Sequence, residues 1–339
     1  MCMCYMIPDN KRKRYSLEIP GVRIVNLWES VPKVLYRFRL LLFALSAIKF
    51  LFYVKRNDSL FFYGGYNWQL MLTWLLNNRA YSYCEVTEHP DINSSSKNIW
   101  LLNKLSGLFV ISQSLYDCFK GLGVEEHKLH VVNMFVDTDR FRNLSKTASE
   151  KYIAYCGAVS YDKDGVDRLL KAFSIFSQKF NEYKLYIIGK GITEDTISKL
   201  ELLVSDLGIG DKVIFTGYVH PDQMPAYLYN ATILALCRPD SLQARNGFPT
   251  KLGEYLATGN PVVVTDVGEI PLYIKHNENG YLADSNSIED FSSKLVWVAE
   301  HLDEANIVGA KGQHLVLNEF NYKVESLKVS KIMDAIWEN

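Results

Sequence analysis

The sequence predicts an α/β protein built from two doubly wound, Rossmann-like parallel-sheet domains that face each other across a cleft. Three observations carry that expectation. Strand-like apolar runs alternate with amphipathic helical stretches along the whole chain. A polar stretch, RFRNLSKTASEK at residues 140–151, separates the two series and reads as a linker. The 339 residues, 48% of them hydrophobic, are enough to bury two cores and long for one.

In the first series the expected strands are VRIVNLW, SLFFYG, AYSYCEV, GLFVIS and KLHVVN. In the second they are YIAYCG, KLYIIG, KVIFTG, TILALC and PVVVT, with helices such as GVDRLLKAFSIFSQKF between them. Helices fill residues 287–337 at the end of the chain. The domains so defined are residues 1–145 and 150–320, with a last helix at 321–339 packing back on the first domain.

Composition narrows the setting. Cys2, Cys4, Cys84, Cys118, Cys156 and Cys237 show neither a C-x-x-C pair nor zinc-ligand spacing, which fits a reducing compartment and gives no metal site. The start, MCMCYMIPDNKRKRYSLEIPG, lacks the apolar core of a secretory signal, so the expected location is the cytoplasm. Residues 1–56 carry eleven Lys and Arg against Asp9, Glu18 and Glu29, a net charge of +8, while the remainder carries −9. Such asymmetry implies an anionic partner. Within that segment, residues 33–56 are apolar but interrupted by Arg37, Arg39 and Lys49, which suits a helix lying at an anionic membrane surface better than one spanning a bilayer. No nucleic-acid-binding motif accompanies the basic residues, so nucleic acid is not an expected partner.

Neither G-x-G-x-x-G nor a Walker loop is present, and GKG at 189–191 reads as a strand end. The informative stretch is RNGFPTKLGEYLATGNPVVVT, residues 245–265. It reads as the end of a loop, RPDSLQARNGF, then a helix that begins at Pro249 and stops at Gly259, then a buried strand. In such a βαβ unit the helix amino end opens above the carboxyl ends of the strands, where free N–H groups and the helix dipole favour a phosphate. Gly247 admits close backbone approach, Lys251 can neutralise an anion, and Glu254 can accept hydrogen bonds from sugar hydroxyls. The alternative is a surface helix with an i,i+3 Lys251–Glu254 pair.

From YIAYCGAVSYDKDGVDRLLKAF through LYIIGKG, KVIFTGYVHPDQMPAYLYNATILAL and NGFPTKLGEYLATGNPVVVTDVGEIPLYI, the second half resembles the donor domain of family-4 retaining glycosyltransferases of GT-B fold (glycosyltransferase group 1). The likeness is strong over about residues 150–300 and looser over 58–141, where YCEVTEHPD and VISQSLYDCFKGLGVEEHKLHVVNMFVDTDRF match an acceptor-domain ending. It implies a metal-independent transferase with no cofactor beyond its donor substrate, a nucleoside-diphosphate sugar. The acceptor would be a lipid-linked or polysaccharide glycan, and the basic, apolar segment 33–56 leads to the expectation that it is met at the inner face of the cell membrane. Glu254 would hold the ribose, with Gly247, Phe248 and Gly157 at the donor, and the backbone at Tyr218 and Val219 would hold the base. Asn246 stands where the family has a glutamate facing the transferred sugar, and Lys163 resembles its diphosphate lysine. Ala158 replaces an arginine, so Arg245, Arg238 or Lys251 must compensate, with Arg245 and Lys163 the first candidates. His89, in EVTEHPD, matches a histidine near the sugar and acceptor, with Glu88 the alternative carboxylate and Glu85 structural. The catalytic set expected from the resemblance is thus His89, Asn246, Lys163 and Arg245.

Two D-x-D matches, Asp137/Asp139 and Asp162/Asp164, read as loop residues rather than metal ligands. A GT-B acceptor domain begins with a strand and a glycine-rich turn, and MCMCYMIPDNKRKRY offers neither, so the first domain is expected to be short or truncated. Together with Ala158 and Asn246, that leaves a second class of reading, a non-catalytic glycosyltransferase-like subunit that serves a partner enzyme.

Overall fold

The computed structural model describes residues 2–5, 23–26, 45, 48, 50–52, 54–56, 58–63, 74–75, 79–87, 96–147, 150–160 and 163–338. The chain divides into two compact units, Met1–Glu85 with Ser94–Leu108, and Val86–Asn93 with Phe109–Asn339.

In the amino-terminal half, β1 (Cys2–Tyr5) pairs in parallel with β2 (Arg23–Asn26), Cys2 opposite Arg23. The chain therefore does open on a strand, contrary to the sequence reading. Cys-Met-Cys-Tyr is an apolar run without the β-branched residues that usually announce a strand. A second, four-stranded sheet has the order β3 (Asp58–Tyr63), β4 (Ala80–Val86), β5 (Gly107–Val110), β6 (Leu129–Val131). Helix α1 (Ser96–Leu102) precedes β5, and α2 (Gln113–Gly121) follows it. Around Val54 and Ala80, partly buried Phe50, Leu51 and Leu60 form a small core, whereas helical Leu45, Ile48 and Phe52 are exposed by 54, 52 and 86%.

The larger unit holds a six-stranded sheet. Its strands are β7 (Tyr152–Cys156), β8 (Lys184–Ile188), β9 (Val213–Gly217), β10 (Ile233–Leu236), β11 (Val262–Thr265) and β12 (Tyr281–Ala283). The spatial order is β12-β11-β10-β7-β8-β9, and every pairing is parallel. Read from β9, this is the order three, two, one, four, five, six of a doubly wound sheet, and it reverses direction at β7 and β10. Every residue of β7, β10 and β11 is buried, as expected for strands covered on both faces.

The covering helices show the matching period. α3 (Val166–Lys179) buries Val166, Leu169, Leu170, Phe173 and Phe176 along one stripe. α4 (Glu194–Asp206) and α5 (Met224–Asn230) follow β8 and β9. Where a loop is expected after β10, residues Leu242–Asn246 form a short helix, α6, capped by the Ser241 hydroxyl accepting from Ala244 N. Leu-Gln-Ala-Arg is a good helical run once that cap is in place. α7 (Thr250–Ala257) stops at Gly259, whose φ of 76° is the left-handed conformation that ends helices. α8 (Ile270–Tyr273), α9 (Ile288–Glu300), α10 (Leu302–Glu319) and α11 (Tyr322–Glu338) complete the unit. Just before α11, Asn321 forms a parallel bridge with Val136; Val136 N donates to Phe320 O at 2.8 Å and Tyr322 N to Val136 O at 3.2 Å.

Candidate functional site

The reversal of strand order places the loops after β7 and β10 at one edge of the larger unit, and a cavity of about 620 Å³ opens there. Its wall comes from four distant segments: residues 135–140, the turn at Cys156, Gly157 and Ala158, the first turns of α7 through Thr250, Lys251 and Glu254, and Tyr322 of α11.

Two contacts fix α7 against the end of β7. The buried Tyr255 hydroxyl accepts from Cys156 N at 2.6 Å and donates to Cys156 O at 3.2 Å. A Cβ at Gly157 would meet Lys251 Cε and Nζ, so a side chain there would displace the lysine from where it crosses the strand end. On the opposite face of α7, Gly253 admits Met134 and Val136, which brings the 135–140 segment onto the same wall. The amino end of α7, at Pro249, has no side-chain cap; Leu252 N donates to Pro249 O at 2.9 Å, which leaves the N–H groups of Thr250 and Lys251 for another acceptor.

Lys251 and Glu254 do not pair with each other. Lys251 Nζ lies 2.6 Å from Asp164 Oδ2, and Glu254 Oε1 receives Arg140 Nη1 at 3.0 Å. Asp164 is 1% exposed; besides Lys251 it has Arg238 Nε at 3.7 Å and the Tyr155 hydroxyl at 2.8 Å. One acid between two cations leaves this buried cluster with a surplus positive charge beside the cavity. Burial lowers the Arg238 pKa, with Asp164 opposing, and Nη1 of Arg238 has no hydrogen-bond partner among the described residues. Burial also drives the Tyr155 and Tyr255 hydroxyls well above the ordinary tyrosine range and pushes the Cys156 thiol up to about 12. Cys156 and the tyrosines are neutral structural groups here, not nucleophiles or bases.

Of the residues singled out from sequence, Gly157, Lys251 and Glu254 meet on the cavity wall, with Ala158 beside them. Others lie elsewhere. Arg245 forms a bidentate pair with Asp240, Nε to Oδ1 at 2.6 Å and Nη2 to Oδ2 at 2.7 Å. Asn246 is tied to the amino end of α2: Ser114 Oγ donates to its side-chain oxygen at 2.6 Å and Ser112 Oγ to its carbonyl at 2.7 Å. Glu269, its pKa raised by burial, accepts from Ser114 N at 2.7 Å at the same helix end. Gly247 has φ of −108°, a conformation open to any residue, and Phe248 is buried against Tyr273 and Phe320 in an aromatic cluster. Tyr218 is 60% exposed after β9 with Lys190 Nζ 5.3 Å from its ring centre, and Val219 is buried. Lys163 occupies the turn before α3, its carbonyl accepting from Arg238 Nε at 3.3 Å. Glu88, His89 and Asp162 lie outside the described residues. Asp137 caps the short 3-10 turn Thr138–Phe141, and Asp139 pairs with Arg142 and Lys323. Among the described residues, no group of three or more His, Cys, Asp or Glu gathers around a common point suited to a metal ion.

Sequence reasoning did not foresee Arg140, Asp164 or Tyr322 at this place. Only Arg140 and Asp164 had a signal, as charged residues in otherwise apolar or turn-forming motifs.

Comparison with known proteins adds relationship to geometry. The profile of the family described as glycosyl transferases group 1 matches residues 136–314, just over half of the chain. The GDP-mannose-dependent alpha-(1-6)-phosphatidylinositol monomannoside mannosyltransferase of Mycobacterium tuberculosis is 27% identical over 209 residues, 58% of this chain and 54% of the relative. The amylovoran biosynthesis glycosyltransferase AmsK of Erwinia amylovora is 24% identical over 220 residues, 63% of this chain and 53% of the relative. The chain thus spans about half the length of these curated relatives. Among solved structures, Anabaena HepE in complex with UDP and glucose superposes with a TM-score of 0.72 at 16% identity, covering 93% of this chain and 86% of that one. Sucrose-phosphate synthase from Thermosynechococcus elongatus does so with a TM-score of 0.78 at 15% identity, covering 99% and 89%. The parallel sheets and their covering helices are those of the GT-B fold.

Proposed function

Since the chain belongs to the family of group 1 glycosyl transferases, we propose that it moves a sugar, with retention and without a metal, from a nucleoside-diphosphate sugar to a lipid-linked or polysaccharide glycan. The observation that carries this reading is the cavity at the strand-order reversal. It combines an uncapped helix start, a lysine that gives its buried cluster a surplus positive charge, and a carboxylate one helical turn further on. These match the demands of a nucleotide: cations and N–H groups for the diphosphate, an acceptor for the ribose hydroxyls. The relative that uses GDP-mannose and the solved neighbour holding UDP point to the same class of donor.

In this reading Lys251 and the α7 amino end stabilise the charge that grows on the departing diphosphate. The departing phosphate then receives the acceptor's proton on the same face, and positioning supplies much of the remaining acceleration. His89 and Asn246 are the proposed contacts to the transferred sugar. The acceptor would be met at the inner membrane face, a placement supported by exposed helical Leu45, Ile48 and Phe52 within the basic segment. Among the described residues, no helix is long and apolar enough to cross a membrane.

The test is a thermal-shift panel of UDP, GDP, ADP, CMP and their sugar conjugates on the wild type and Glu254→Ala. A shift with one diphosphate that shrinks in the variant supports the reading and names the donor class. No shift with any nucleotide removes it.

A further inference from the structure

On the reading that a nucleoside diphosphate occupies this cavity, we propose that Arg140 is a donor-binding residue whose guanidinium links the Glu254 carboxylate to the diphosphate.

Among the described residues, the basic ones on the cavity wall are Arg140 and Lys251. Lys251 already shares Asp164 with Arg238. Two further cations near the site are poorly placed to help. Arg245 is held by both oxygens of Asp240, Arg238 is 3% exposed and does not line the cavity, and position 158 is an alanine. Arg140 is different: its side chain is one third exposed, and it is on the same wall as Ala158.

Its geometry also fits the role. Nη1 donates to Glu254 Oε1 at 3.0 Å, and Nη2 donates to Pro221 O at 2.6 Å. These bonds use two of the five N–H donors of a guanidinium, whose planar fork is suited to engaging a carboxylate and a phosphate together. The residue projects from the short turn Thr138–Phe141, whose start is anchored through Val136 to Asn321. Glu254 is the carboxylate proposed to take the ribose hydroxyls, and the first phosphate is attached to that ribose through C5′. A cation bound to Glu254 therefore stands beside the nucleotide where sugar passes to phosphate. The positive charge absent at position 158 is supplied from a different segment of the chain.

The experiment compares binding of UDP with uridine, GDP with guanosine, and ADP with adenosine, by calorimetry or competition, on the full chain. Wild type, Arg140→Ala, Arg140→Gln and Arg140→Lys are compared, each after its fold has been verified by circular dichroism. For the pair that the wild type binds, loss of a charge-assisted contact lowers diphosphate affinity by roughly tenfold in the Ala and Gln variants, with a much smaller effect on the nucleoside. The dependence of affinity on salt becomes shallower, and Arg140→Lys recovers part of both effects. An arginine that only holds Glu254 for the ribose would weaken nucleoside and diphosphate equally, and that result overturns the proposal, as does an unchanged diphosphate affinity. Failure of the wild type to bind any nucleotide overturns the underlying reading and this inference with it.

Discussion

Lys251 Nζ and Asp164 Oδ2 are 2.6 Å apart although 87 residues separate them in sequence, and Asp164 is almost wholly buried. Arg238 shares the same carboxylate from behind. Removing the acid leaves two buried or half-buried cations without a counter-charge. Asp164→Asn is therefore expected to cost about 3 kcal/mol of stability, read from urea denaturation. Lys251→Met leaves a neutral Asp164–Arg238 pair, so it should unfold close to the wild type while losing most of its nucleotide-induced thermal shift.

Gly157 is the point where Lys251 passes the end of β7. A Cβ there meets Lys251 Cε and Nζ and the Tyr155 hydroxyl. Gly157→Ala should displace the lysine, weakening diphosphate binding by about tenfold, as expected for one misplaced charge-assisted contact. Equal diphosphate affinity in the two proteins would contradict the placement.

His130 lies on β6 beside Phe109, with Nε2 buried and unbonded among the described residues. Burial, with a smaller contribution from nearby His127, lowers its pKa below the ordinary histidine value. The unfolded chain thus takes up this proton first, at about pH 6.5. The stability associated with neutral His130 is complete above that pH and is lost as pH falls towards the lowered folded value. His130→Gln should flatten the decline of melting temperature between pH 7.5 and 5.5, relative to the wild type; parallel declines would contradict this assignment.

Leu45, Ile48 and Phe52, spaced three and four residues apart, are helical and exposed, whereas Phe50 and Leu51 pack towards Val54 and Ala80. With the +8 charge of residues 1–56, this favours sedimentation with phosphatidylglycerol vesicles at low salt. Replacing Leu45 and Phe52 together by Glu should abolish it. A wild type that stays in the supernatant would remove the membrane reading.

The strands of the larger unit were legible because a parallel sheet covered on both faces appears in sequence as unbroken apolar runs: YIAYC, ILAL and VVVT are buried throughout. The α7 helix was legible from its Pro and Gly boundaries. Helix α6 was not, because DSLQARN mixes turn-forming and helix-forming residues over a single turn. On the cavity wall, Lys251 and Glu254 were legible from the local helix motif, and Gly157 only through the family resemblance. The pairing of Glu254 with Arg140 was not, since it joins positions 114 apart and arises only from the tertiary fold. Arg245 offers the opposite lesson. Asp240, five residues earlier, is close enough in sequence to have raised the prospect of a local ion pair.

The bridge between Val136 and Asn321 also bears on the order in which the protein folds. The cavity wall joins segments far apart in sequence: the Tyr322 hydroxyl donates to Asp139 Oδ2 across 183 residues at 3.2 Å. Contacts that close such long loops pay their entropy before they return any stability, so they form late on the way to the native state. A nucleotide that needs the assembled wall finds nothing to hold in the transition state for folding. Its stabilisation is expected to appear as slower unfolding, with the refolding rate left nearly unchanged.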